Sequence, residues 1–209
     1  MSKEDAGARR VLVATTNPGK VRELAAILNG LPVELAGLAE LPGAPEVEET
    51  GATFLANARL KALVYAAWSG LPALADDSGL EVDALGGDPG VRSARYAGEG
   101  AGDEANLVKL LDALREVPPA ERTARFRCAA VFALPDGRAW QAEAAWDGRL
   151  LDAPRGTGGF GYDPVFVPDG WDRTSAEVDA ATKNAASHRA KAFAALRPAV
   201  EAWAGTGSA

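Results

Sequence analysis

The sequence predicts an α/β protein folded as a single domain. Three features predict it. Strand-like apolar runs alternate with helical-period segments over residues 10–79, a long β-hairpin pattern occupies the middle of the chain, and the length suffices to bury one core. The 209 residues are 47% hydrophobic and 24% charged, the balance of an ordinary globular chain. Its 23 glycines and 13 prolines form no repeat, which argues against collagen-like, coiled-coil and disordered classes. One domain is expected over residues 1–209, with 1–9 and 204–209 as flexible ends.

The first element is a buried strand, Arg10 to Ala14, followed by a turn at Thr15-Thr16-Asn17-Pro18-Gly19. Val21, Leu24, Ala25, Ile27 and Leu28 then recur at helical spacing until Asn29-Gly30-Leu31-Pro32 stops the helix. A short strand, Val33 to Leu35, leads into a proline-rich acidic loop. The next helix spans Thr53 to Trp68, with Phe54, Leu55, Ala58, Ala62, Tyr65 and Ala66 on its apolar face. A third strand, Ala73 to Asp76, runs into a turn at Asp77-Ser78-Gly79, completing a β-α-β-α-β order. After an irregular, glycine-rich segment around Leu85–Gly90, a helix is expected from Gly102 to Arg115. Thr123–Leu134 and Arg138–Trp146, joined by Pro135-Asp136-Gly137, form the hairpin. A strand near Pro164–Val167 and a helix from His188 to Trp203 close the chain. The hairpin is expected to build a second lobe, leaving a central cleft.

With 22 Lys and Arg against 29 Asp and Glu, the formal net charge is −7, and no broad basic footprint for nucleic acid exists. A single cysteine, Cys128, excludes an intrachain disulfide and a Cys-based zinc site. A single histidine, His188, excludes a multi-His metal site. Residues 1–10 have no apolar core, so no signal peptide is expected. The longest apolar run, Cys128 to Leu134, falls far short of the ~20 residues of a membrane span. A soluble, cytoplasmic protein without membrane or nucleic-acid partners is the expectation.

Four segments could hold chemistry. Thr15-Thr16-Asn17-Pro18-Gly19-Lys20 is a strand–turn–helix junction whose backbone N–H groups and lysine favour an anion. It is not a Walker motif, because Ala14 stands where the first glycine belongs and Val21 follows the lysine. An ordinary βα turn with a surface lysine is the alternative. Asp76-Asp77-Ser78-Gly79 ends an apolar strand, where α/β sheets bind ligands and where carboxylates hold Mg²⁺ together with substrate phosphates. Both acids reach one site only if the strand ends at Asp76, since neighbouring strand residues face opposite ways. Glu48-Glu49 could complete a metal site or cap the second helix, and capping is the simpler reading. Asn57 and Lys61 share a helix face.

Gly156 to Gly161 contains G-x-G-x-x-G, but Pro164 follows and no helix opens, so a dinucleotide fold is rejected. Glycines around Phe160 and Tyr162 suit instead a loop in which an aromatic ring stacks on a flat ligand, or a bulge with core aromatics. Finally, Ser187 can cap the last helix and would place His188 and Arg189 in its first turn, where cations are disfavoured without a reason. No G-x-S-x-G elbow supports a triad on His188.

Taken together these runs resemble the inosine/xanthosine triphosphate pyrophosphatases. Matching runs are Ala14 to Lys20, Glu49-Thr50-Gly51 with Thr53-Phe54, Ala75 to Leu80, Leu85 to Val91 through Ser93-Ala94-Arg95-Tyr96, Gly156 to Pro164, and Ser187-His188-Arg189, all in the family's order. The resemblance implies an elongated mixed sheet flanked by helices, two lobes around a cleft, and a homodimer. It implies hydrolysis of ITP, dITP and XTP to the monophosphate and pyrophosphate, by Mg²⁺-assisted attack of water at the α-phosphorus. Carried over by position, Thr15, Thr16, Asn17, Pro18, Gly19, Lys20 and Lys61 hold the triphosphate, and Asp77 is the catalytic base. Asp77, Glu49 and Asp76 form the metal set, and Ser78 touches substrate. Phe160, Gly161, Tyr162, Asp163 and Lys183 build the base pocket, while His188 and Arg189 read the purine's 6-oxo edge. Two other classes stay open: a nucleotide sensor, which would not need the acid cluster, and a phosphatase or sugar-nucleotide enzyme of related shape, which would release a different product.

Overall fold

Residues 9–205 are described by the computed structural model. Six strands form one sheet in the order β2-β1-β3-β4-β5-β6. β1 (Arg9–Val13) lies parallel to both β2 (Val33–Gly37) and β3 (Ala73–Val82). From β3 onward every neighbour is antiparallel: β4 (Thr123–Ala133), β5 (Ala139–Leu150) and β6 (Phe166–Pro168). The sheet is therefore mixed. The parallel half follows from the helical crossovers α1 (Pro18–Ile27) and α2 (Phe54–Ser69), the antiparallel half from the hairpin.

The parallel half is buried on both faces, which is why its strands read as continuous apolar runs. Val11, Val13 and Leu74 pack on one side with Leu24 of α1 and with Phe193 and Leu196 of α5 (His188–Gly205). On the other side Leu12, Ala73 and Ala75 meet Ala58, Ala62 and Ala66 of α2. A third cluster, Leu80, Val82, Phe126, Trp146 and Phe166, joins Leu110 of α3 (Asp103–Ala113) and Leu114 just beyond its end, and centres on the antiparallel half. Hairpin and parallel half share one sheet through β3, and the cleft opens where they meet.

Three expectations need correcting. β3 does not end at Asp76; it continues to Val82, because Ser78 and Gly79 adopt extended backbone and β4 pairs with the strand along its whole length. A seven-residue helix, α4 (Ala180–Ala186), was not foreseen, its apolar signal being only small alanines behind an Asp179 cap. The last strand begins at Phe166, since Asp163–Val165 forms a 3-10 turn. At the chain ends Arg9 belongs to β1 and residues 204–205 to α5, while the rest of the expected flexible ends lies outside the described residues. Among the described residues no helix is long and apolar enough to cross a membrane.

Candidate active site

β1 delivers the chain to Thr15 at the cleft, and Asn17 starts α1. Its side chain accepts the N–H groups of Gly19 (2.8 Å) and Lys20 (3.3 Å), so these two helix-start donors are already engaged. The Lys20 ammonium turns inward onto Asp76 Oδ2 at 3.0 Å. Gly19 is where it is because a Cβ there would lie 2.9 Å from the Phe160 ring.

Because β3 continues through the acids, Asp76 and Asp77 point to opposite faces of the sheet. Asp76 faces α1 and α5, where its Oδ2 also accepts from Arg189 Nε (3.2 Å) and Ser78 Oγ (3.2 Å). Burial alone would raise this carboxyl; the charges of Lys20, then Arg189 and Lys61, more than reverse that and hold it well below the usual carboxylate range. Asp77 faces α2. Its Oδ2 accepts from Asn57 Nδ2 at 2.9 Å, and its Oδ1 from the Ser78 N–H at 2.9 Å. Burial raises the Asp77 carboxyl, Glu49 adds to the rise, and Lys61 and Asn57 only partly oppose it.

Glu49 is not the cap of α2. Thr53 takes that place, its Oγ1 accepting the Ala56 N–H at 3.1 Å. Glu49 instead accepts a 2.5 Å bond from Lys61, whose ammonium is held charged by Asp77, Asp76 and Glu49 against the cost of burial. Asn57 ties this corner together by also accepting the Gly51 N–H at 2.7 Å. The sequence showed Asn57 beside Lys61 on one helix face, yet nothing in it marked Asn57 as the residue joining the Glu49 loop to Asp77.

Across the cleft, Asp163 organises the glycine-rich loop. Its Oδ2 accepts from the Phe160 N–H (2.8 Å) and Lys183 Nζ (2.7 Å), and its Oδ1 from Ser175 Oγ (2.7 Å). Gly159 has φ +70°, and a Cβ there would fall 2.0 Å from Asp163 Oδ2, so only glycine lets the loop close on this carboxylate. Lys183 Nζ lies 4.9 Å from the centre of the Phe160 ring. Ser187 caps α5 as the sequence suggested, its Oγ accepting the Ala190 N–H at 3.2 Å.

Arg189 is fully buried in a helix first turn, and the reason is internal: its guanidinium binds Asp76, Glu23 and Ser78 Oγ. Glu23, unnoticed in the sequence because it reads as a surface residue of α1, joins Lys183 (2.9 Å) to Arg189. The Arg189 and Lys183 charges keep its carboxyl low despite burial. His188 is no cation. Burial, then the charges of Arg189 and Lys183, push its pKa well below 6.5, and the neutral ring stacks on Phe126 with centres 4.9 Å apart.

Of the expected site residues, all but Pro18, Gly19 and Asp76 line one cavity of about 320 Å³. Asp103, Asn106 and Phe126 line it too and were not foreseen. At the start of α3 an acid looks like an ordinary dipole partner, yet Asp103 Oδ2 accepts the Gly161 N–H at 2.7 Å. Among the described residues no three His, Cys, Asp or Glu side chains gather as a metal-binding group. The expected set of Glu49, Asp76 and Asp77 is split by the sheet. The remaining pair, Glu49 and Asp77, still suits a hard divalent cation: two carboxylates facing one cavity, with Glu49 adding to the raised proton affinity of Asp77, and phosphate oxygens to supply further ligands.

A family model described as the Ham1 family matches residues 11–199. A dITP/XTP pyrophosphatase of Geobacter sulfurreducens is 56% identical over 188 residues, 90% of this chain and 94% of that protein. One from Streptomyces coelicolor is 53% identical over 193 residues, 91% and 96% of the two chains. Among solved structures, a HAM1 protein from Coxiella burnetii superposes with a TM-score of 0.83 at 39% identity, covering 92% of this chain and 98% of that one.

Proposed function

The chain belongs to the Ham1 family, and from that premise we propose that it hydrolyses non-standard purine nucleoside triphosphates (ITP, dITP and XTP) to the monophosphate and pyrophosphate. One observation supports this most: Asp77, a carboxylate with raised proton affinity, shares one cavity with the Lys61–Glu49 ion pair and with Phe160, His188 and Arg189.

In this reading the purine lies against Phe160. Three of the five Arg189 N–H donors are engaged by protein, leaving two for the 6-oxo oxygen. A 6-amino group there would meet donors with donors and leave them unpaired, which is how such a pocket rejects adenine. Thr15, Thr16, Asn17 and Lys20 flank the phosphates, with Lys61 on the far side. Asp77 accepts the proton of a water attacking the α-phosphorus. The bond from that phosphorus to the bridging oxygen breaks, and pyrophosphate leaves with its electron pair. Asn57 and the Ser78 N–H fix the carboxylate so that its free lone pairs face the water. Mg²⁺, held by Glu49 and Asp77, supplies charge neutralisation on the phosphate oxygens when bound.

Asp76 acts on the opposite face, as the residue holding Lys20 and Arg189 in place. A homodimer is proposed as well. Exposed Leu60 and Trp68, with Val64 between them on the outer side of α2, form an apolar surface that a second copy would cover. Light scattering on the purified protein tests it. A cytoplasmic location is part of the same proposal, and fractionation tests it.

The decisive assay is turnover with Mg²⁺ across ITP, dITP, XTP, GTP and ATP, resolving pyrophosphate from orthophosphate. Pyrophosphate from the first three with little from ATP is expected. Orthophosphate, or indifference to the base, overturns the proposal.

A further inference from the structure

We propose that a second cavity beside the site takes the pyrophosphate product, with Arg22 as the cation that receives it. This rests on the pyrophosphatase reading above and adds where the leaving group goes. The second cavity, about 940 Å³, shares Thr15, Thr16, Glu49 and Lys61 with the first. The Lys61–Glu49 ion pair thus stands on the wall common to both. Asp77, Phe160 and Arg189 line only the first cavity. A nucleotide with its base against Phe160 and its α-phosphorus beside Asp77 therefore points its β- and γ-phosphates at the shared wall. After the bond breaks, the monophosphate still fills the first cavity, and the second is the free direction for a dianionic or more highly charged fragment.

Arg22 makes the second cavity suited to that fragment. It lies on α1 two residues beyond Lys20, lines the second cavity only, and is exposed. Unlike Lys20, Lys61, Lys183 and Arg189, which all hold carboxylates, Arg22 has no hydrogen-bond or ion-pair partner among the described residues. Glu40, an acid lining the same cavity, is already committed to Arg10 (3.4 Å) and to the Gly37 N–H (2.6 Å). An unpaired guanidinium offers a planar fork of donors that matches two phosphate oxygens at once. Glu46 lines the same cavity and, as a like charge, keeps the product loosely held, which suits departure more than storage.

Calorimetric titration tests this without any turnover. Pyrophosphate with Mg²⁺ is titrated into the wild-type protein and into Arg22→Glu and Arg22→Lys, and inosine monophosphate is titrated in parallel. The expectation is a pyrophosphate Kd raised about tenfold in Arg22→Glu and about two- to threefold in Arg22→Lys, with the monophosphate Kd unchanged. Unchanged pyrophosphate affinity, equal losses for both ligands, or no pyrophosphate binding to the wild type overturns the inference. Failure to turn over ITP would instead overturn the activity reading while leaving this binding result interpretable.

Discussion

Asp76→Asn removes one carboxylate charge from the buried cluster while keeping the side chain's shape. Asp76 is 1% exposed, and Lys20 and Arg189 both rely on its Oδ2. Breaking a buried pair by deleting one partner costs about 3–5 kcal/mol. Here the lower end applies, because Arg189 keeps Glu23 and the Lys20 side chain is 14% exposed and can recruit water. A loss of about 3 kcal/mol in a chain this long lowers Tm by about 6–12 °C. The pH dependence follows from the sign of the shift. The folded-state carboxyl is held below its unfolded value, so its contribution is fully present above about pH 4 and is lost as pH falls through the folded pKa. Urea unfolding of both proteins at pH 7, 5 and 3.5 should therefore give a gap that is constant between the first two and narrows at the third. A gap that persists undiminished to pH 3.5, or no gap at pH 7, refutes the assignment of Asp76 as the counter-ion of Lys20 and Arg189. The same variant tests the geometry of β3. If Asp76 faces away from the Glu49–Asp77 pair, the Mg²⁺ concentration giving half-maximal rate stays where it is in the wild type; a rise of tenfold or more would return Asp76 to the metal set.

Asp77→Asn is expected to lower kcat by at least a thousandfold while ITP still binds, checked by single-turnover rates beside equilibrium dialysis; near-normal turnover would remove Asp77 from the role of base. Because burial and Glu49 raise the Asp77 carboxyl, the acidic limb of kcat/KM should fall above the ordinary aspartate value of 3.8, and a limb at or below it contradicts the assignment. Phe160→Ala should raise KM for ITP about ten- to a hundredfold with a smaller change in kcat, the loss of one stacking partner; equal KM values would show that the ring is only structural. Asn57→Ala should destabilise the protein by about 1–3 kcal/mol, since Asp77 Oδ2 and the Gly51 N–H both lose a buried partner, which chemical denaturation will show or deny.

The elements that were legible in the sequence are those whose period reports burial. β1, α1 and α2 pack on their neighbours through most of the residues whose spacing defined them, Ala25 of α1 being exposed, and the hairpin turns where Pro135-Asp136-Gly137 said it would. β3 was misread at its end because an acid pair followed by Ser-Gly looks like a turn in isolation. What keeps it extended is the partner strand β4, far away in sequence, together with Ser93, whose Oγ accepts the Leu80 N–H at 2.9 Å. The same non-local cause hid Glu23 and Asp103. Each sits on an amphipathic helix among ordinary surface residues, and only folding brings Lys183 and Arg189 to one and the Gly161 N–H to the other. Lys20, Lys61 and Arg189 were visible by type and position, but not the carboxylate each one holds.

Those pairings bear on how a protein of net charge −7 takes up a polyanion. A site of free cations would bind any phosphate. Here Lys20 is bound to Asp76, Lys61 to Glu49, Lys183 to Glu23 and Asp163, and Arg189 to Asp76 and Glu23. A triphosphate arriving without a divalent cation must compete with each of these carboxylates, and what it gains at a lysine is offset by what the displaced acid loses. Inorganic phosphate or ATP thus obtains little from the electrostatics alone. A divalent cation changes the balance at one pair only, Glu49 and Asp77, where two acids already favour a positive charge. The purine pocket then decides which nucleotide stays, because the Arg189 donors are locked in direction by three protein partners and cannot turn to suit a 6-amino group. Selectivity by base and dependence on metal are in this sense one property of the same pre-paired charge network. Loosening the network at Glu23→Gln, which leaves Lys183 with Asp163 and Arg189 with Asp76 as their remaining carboxylates, should weaken discrimination between ITP and ATP and at the same time raise affinity for nucleotide in the absence of Mg²⁺. Finding one change without the other, in paired turnover and metal-free binding measurements, would show that the two are set separately.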